Sequence, residues 1–91
     1  MAVYNEQTMF KLTLNTHIDL TGATVTDIKY VKPNGVTGEW NGTVVEGTKI
    51  EYQVTHGDLD DVGLWKFQAV VIRNGETGLG EIKQVQIDQR L

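Results

Sequence analysis

The sequence contains no cysteine and no serine. The first absence removes a disulfide framework, a thiolate zinc site and a cysteine nucleophile, and the second removes a serine triad. Threonine is plentiful, but a threonine nucleophile needs a free amino terminus or a neighbouring base, and residue 1 is Met. Histidine occurs twice, as His17 and His56, with no second catalytic signal beside either. Cations are few: 8 Lys+Arg stand against 12 Asp+Glu, for a formal net charge of -4. That balance argues against a nucleic-acid partner, because phosphate binding depends on clustered positive charge. No apolar run approaches the roughly 20 residues of a membrane helix. The start, Met1-Ala2-Val3-Tyr4-Asn5-Glu6, lacks the basic and apolar regions of a signal peptide. These absences predict a non-catalytic chain without cofactor, metal, nucleic-acid or membrane partner, made in the cytoplasm without its own export signal.

The 91 residues fit one domain, 1–91, near the lower end of what a core alone can hold together. Apolar residues repeat with period two, and no window sustains the stripe of an amphipathic helix. Residues 8–14 read as a half-buried strand, with Phe10, Leu12 and Leu14 on one side. Ile18 and Leu20 briefly repeat the pattern before Thr21-Gly22 turns the chain. Residues 23–32 are rich in β-branched and aromatic types, but their apolar parity slips between Val25 and Ile28, which predicts a bulge near Asp27. Pro33-Asn34-Gly35 is a turn, followed by a short strand around Trp40. Asn41-Gly42 turns into Thr43-Val44-Val45, and Ile50, Tyr52 and Val54 alternate through 48–54. After a polar corner at 56–63, Trp65, Phe67, Ala69 and Val71 share one parity in the most apolar strand. Asn74-Gly75 signals a hairpin, although Gly78 and Gly80 also allow one long adaptable loop. Val85 and Ile87 point inward in a last strand near 81–88, with Ile82 out of parity. About seven short strands at this spacing predict an all-β, cysteine-free antiparallel sandwich.

Few of the polar clusters suggest chemistry. Asp58, Asp60 and Asp61 are close in sequence, but Val62 and the missing bidentate Glu break the EF-hand calcium pattern, so a hydrogen-bonded corner is the better reading. Glu39, Glu51, Glu76 and Glu81 could be paired on paper for glycoside hydrolysis, yet so small a sandwich has little room for a substrate cleft. Gly78-Leu79-Gly80 lacks the context of a dinucleotide loop, and Asn41-Gly42-Thr43 is a sequon without an export signal. Lys29, Lys32, Lys49 and Lys66 are scattered and read as solvent-facing edge protection. Trp65 reads as core by its parity with Phe67. Trp40, between glycines, either plugs the core or stands at an interface. The segment Arg73, Asn74, Gly75, Glu76, Thr77, Gly78, Leu79 and Gly80 is the leading binding loop, and residues 1–9 could form an amino-terminal arm that pairs with a neighbouring subunit.

Three segments together resemble the immunoglobulin-like domains of small phage and prophage structural proteins, including the amino-terminal domain of phage upper baseplate proteins. They are Ile18–Val25 with Ile28-Lys29-Tyr30 and Lys32-Pro33-Asn34-Gly35, then Gly57–Ala69, then Gly80-Glu81 with the closing strand. The resemblance implies an immunoglobulin-like sandwich with no catalysis, located in the virion and bound to tail, baseplate, neck or capsid proteins, with copies of the chain itself among the candidate partners. It also implies a structural corner at Asp61-Val62-Gly63-Leu64-Trp65, leading into Phe67. Tyr commonly holds the place of Trp65, and an indole has a donor but no hydroxyl acceptor, which puts the usual corner hydrogen bond in question. The alternative function is a module for host carbohydrate or surface protein, with Trp40, Tyr30 or Tyr52 stacking on the ligand.

Overall fold

The computed structural model describes residues 3–6 and 8–91, and all regular structure among them is β. The described residues form nine strands: β1 (Val3–Tyr4), β2 (Lys11–Asn15), β3 (Val25–Val31), β4 (Thr37–Asn41), β5 (Thr43–Val45), β6 (Lys49–Gln53), β7 (Gly63–Arg73), β8 (Glu76–Leu79) and β9 (Lys83–Asp88). One sheet runs β1-β9-β7-β3-β4, with β8 also paired to β7, and the other runs β2-β6-β5. All pairs are antiparallel except β1 with β9, where Val3 lies beside Ile87 in parallel register. Each sheet turns one alternating set of side chains inward, and these meet in a single core.

β7 organises the larger sheet. It pairs with β3 from Lys66 to Ile72, with β9 along its first half and with β8 along its second. Both neighbours of β3 keep an unbroken register, so no bulge lies at Asp27. The parity slip has another cause. Thr26 occupies the inward position between Ala23 and Ile28, and its hydroxyl donates to the Gly42 carbonyl at 3.0 Å, satisfying a polar group on the core side.

Gly42 is less a turn than a crossing between sheets, since β4 ends at Asn41 in one and β5 begins at Thr43 in the other. Its N–H donates to the Thr26 carbonyl at 2.9 Å, and a Cβ there would fall 1.9 Å from Ile50 Cγ2. No side chain fits. Ile18 and Leu20 form no strand: Thr16 donates its hydroxyl to the Thr48 carbonyl at 2.6 Å, and the Leu20 N–H is taken by the Gly47 carbonyl. The strand expected over residues 8–14 is β2, which starts at Lys11.

Of the segment expected to form an arm, residues 1, 2 and 7 lie outside the described residues. Val3 is buried, the Asn5 N–H donates to the Asp88 carbonyl and the Glu6 N–H to the Leu59 carbonyl. The Arg90 N–H donates to Asn5 Oδ1 at 2.8 Å. Val3–Glu6 thus lie along β9 and Leu59 of their own chain, with β1 at the end of the larger sheet.

Candidate functional site

The inward positions of four strands converge on an aromatic cluster. Trp40 stacks on Tyr52 across the two sheets with centroids 4.5 Å apart, and also meets Tyr30 at 5.0 Å and Phe67 at 5.5 Å. Trp65 lies 5.6 Å from Tyr30 and 6.0 Å from Phe67. Trp65 and Phe67 are fully enclosed and Trp40 is 8% exposed. Of the two roles open to Trp40, the structure places it as the core plug between the sheets, not as an interface residue. The rings that might have stacked on a sugar stack on one another. Glycine makes the space: a Cβ at Gly38, two residues before Trp40, would meet Tyr30 Oη at 2.2 Å.

The corner preceding β7 is held by three separate devices. The Trp65 indole N–H donates to the Asp61 carbonyl at 2.9 Å, so the donor alone closes the loop and the missing hydroxyl is not needed. Gly63 adopts φ +133, a conformation that favours glycine, and leaves room for Pro33, whose ring a Cβ would approach to 2.7 Å. Asp58 accepts from the Thr55 N–H at 2.7 Å, the Thr55 hydroxyl at 2.8 Å and the Tyr52 hydroxyl at 2.8 Å. Burial, and then the bond to Asp58, push the Tyr52 phenol pKa up.

Asp60 serves a different partner. Both of its carboxylate oxygens accept from Lys32 Nζ, at 2.8 and 2.9 Å, and the ammonium lies 5.6 Å from the Trp65 ring centroid. Lys32 is therefore a brace over the corner, correcting its reading as a solvent-facing lysine, and the Asp60 hydrogen bond raises its pKa. Lys49 pairs with Glu46 at the surface. The Asp58 and Asp60 carboxylates take different partners, Asp61 contributes its backbone carbonyl, and no group of three metal-ligating side chains occurs among the described residues. His17 and His56 are both exposed, and His56 Nδ1 lies 3.9 Å from Glu6 Oε2.

The segment 73–80 is mainly a strand rather than an adaptable loop. Arg73 pairs with Glu76 across Asn74 and Gly75, whose φ values of 53 and 78 are those of a type I′ hairpin. Thr77 and Gly78 pair with Ile72 and Val71, Leu79 with Val70, and the Gly80 N–H donates to the Ala69 carbonyl. The Arg73 guanidinium donates to the Asp19 carbonyl, tying the hairpin to the loop before β3.

Alternation places Lys29, Val31, Glu39, Lys66, Gln68 and Val70 on the outer face of the larger sheet, opposite the aromatic core. The usual rule of polar residues outward fails here. Leu79 is 61% exposed, Ile82 60%, Leu64 42% and Val31 39%. A shallow groove of about 450 Å³ runs over this face between Glu39 and Ile82, floored by Lys29, Val31, Lys66 and Gln68. Composition missed this surface because its members come from five separate strands and loops, and each exposed residue alone is unremarkable. The parity of Ile82 was the one signal for it. No family model, curated protein or solved structure matches the chain.

Proposed function

We propose that the chain is a non-catalytic interaction module with an immunoglobulin-like fold, a structural component of a phage particle bound to tail, baseplate, neck or capsid proteins through the outer face of the larger sheet. The observation that carries the interaction reading is that face itself. Apolar side chains stand outward on β3, β7 and β8 and at Ile82, where a free sandwich has no use for them, and two of them, Val31 and Ile82, line a groove together with Lys29, Glu39 and Lys66. The immunoglobulin-like reading is supported by the strand order. A β2-β6-β5 sheet against β1-β9-β7-β3-β4 matches a B-E-D sheet against a G-F-C sheet extended at both edges, and the bond from Trp65 to the Asp61 carbonyl sits where such domains carry their corner. Placement in a phage particle rests on the resemblance of Ile18–Val25, Gly57–Ala69 and Gly80-Glu81 to phage structural domains. Mass spectrometry of purified particles from a phage carrying the gene tests the proposal: the chain is expected in stoichiometric copies, and its absence from particles while abundant in the lysate overturns it.

A further inference from the structure

The chain holds three Asn-Gly pairs, Asn34-Gly35, Asn41-Gly42 and Asn74-Gly75. In such a pair the glycine amide nitrogen can attack the asparagine side-chain carbonyl carbon. A new N–Cγ bond forms, the Cγ–Nδ2 bond breaks, and ammonia leaves with the proton of the attacking amide. Water then opens the cyclic imide at either carbonyl, giving aspartate or isoaspartate. The sum is one water consumed and one ammonia released, with no oxidant or enzyme required.

The fold treats the three pairs differently. The Gly35 N–H donates to the Lys32 carbonyl at 2.9 Å, and Asn34 Oδ1 accepts from the Val36 N–H at 3.0 Å, so both reacting groups are held. The Gly42 N–H donates to the Thr26 carbonyl at 2.9 Å, and Ile50 blocks rotation at the sheet crossing. A donated amide proton is harder to remove, and a held backbone cannot turn to bring nitrogen onto carbon. Gly75 sits at the tip of a hairpin, and its N–H makes no hydrogen bond among the described residues. Asn74 is exposed, and β8 behind it pairs with β7 alone. Opening that short edge strand is the movement the reaction needs.

We infer that Asn74 is a deamidation site of the folded protein, while Asn34 and Asn41 are protected by the fold. Aspartate there adds a negative charge two residues from Glu76. Isoaspartate lengthens the backbone by one methylene within a turn that tolerates only type I′ dihedrals, so the register that sets Leu79 opposite Val70 is lost. The modification thus alters one edge of the outer face.

The test incubates the folded protein in mildly alkaline buffer, digests it at low pH and measures amide-to-acid conversion at each site by peptide mass, with a denatured sample as internal control. Asn74 is expected to convert about tenfold faster than Asn34 and Asn41 in the folded chain, the factor that one net hydrogen bond commands. In denaturant the three rates should converge. Asn74→Gly, which type I′ turns accept, should leave the folded chain unconverted. Equal rates at two or more sites in the folded protein, or conversion at Asn74 only after unfolding, would overturn the inference.

Discussion

Trp65 does two jobs that are separable by substitution: its ring fills the core and its N–H closes the corner on the Asp61 carbonyl. Trp65→Phe keeps an aromatic ring but loses the donor and part of the volume, so it should cost about 2–3 kcal/mol, of which the hydrogen bond is about 1. Trp40→Ala removes the plug between sheets and should cost about 3–5 kcal/mol, a large share of the roughly 5–14 kcal/mol that a domain of this size commands. Chemical denaturation followed by far-UV circular dichroism measures both. Were Trp40 an interface residue, its loss would leave stability near that of the wild type. The core role of Trp65 was legible because Phe67, Ala69 and Val71 share its parity. Trp40 was not, because the inward positions on either side of it are Gly38 and Gly42, which have no side chain to reveal a face. Lys32 misled for a related reason: charge in the sequence does not reveal the carboxylate and the ring between which its head group is held.

Strand order reflects how few residues each element uses to commit itself. The alternation of β6 and β7 and the Asn-Gly hairpin between β7 and β8 could be read locally. β1 could not, because two residues carry no periodicity and its partner β9 lies at the other end of the chain. The slip near Asp27 shows how a threonine on the inward face imitates a bulge when only apolar residues are counted. The crossing at Gly42 is the element-level feature most exposed to substitution. Gly42→Ala brings a methyl into Ile50 and against the Thr26 carbonyl, and overpacking of that kind should cost about 1–3 kcal/mol. Gly80→Ala, where the nearest atom to the new methyl is Ala69 Cβ at 3.3 Å, should be the milder of the two. Thermal unfolding of the two variants side by side distinguishes this account from one in which any strand-end glycine is equivalent.

For the whole molecule, the ionisable groups with displaced pKa values bracket a broad plateau of stability. Asp60 holds the Lys32 ammonium above its ordinary 10.5, and burial with Asp58 holds the Tyr52 phenol above 10.0. In both, the folded state keeps its proton longer than the unfolded chain does, so the contribution is complete below those values and is lost as pH rises through the folded ones. The Thr21 amide keeps Asp19 below 3.8, and Lys49 keeps Glu46 below 4.5. Their contributions exist above those values and vanish as pH falls, and both are small because these groups are fully solvated. Tm should therefore stay level between roughly pH 5 and 10 and decline above it. Tyr52→Phe combined with Lys32→Met should flatten that alkaline decline.

The same whole-molecule view separates the inner face, which holds the fold together, from the outer face, which the fold does not require. Leu79→Asp with Ile82→Asp places two charges on side chains that are already about 60% exposed, so the Tm of the pair should stay near that of the wild type. The most direct measurement is the copy number of this double variant in purified phage particles, set against the wild-type chain produced in the same way. The account predicts wild-type incorporation in stoichiometric amounts and loss of the folded variant from the particle. Equal incorporation of both, or of neither, would contradict it.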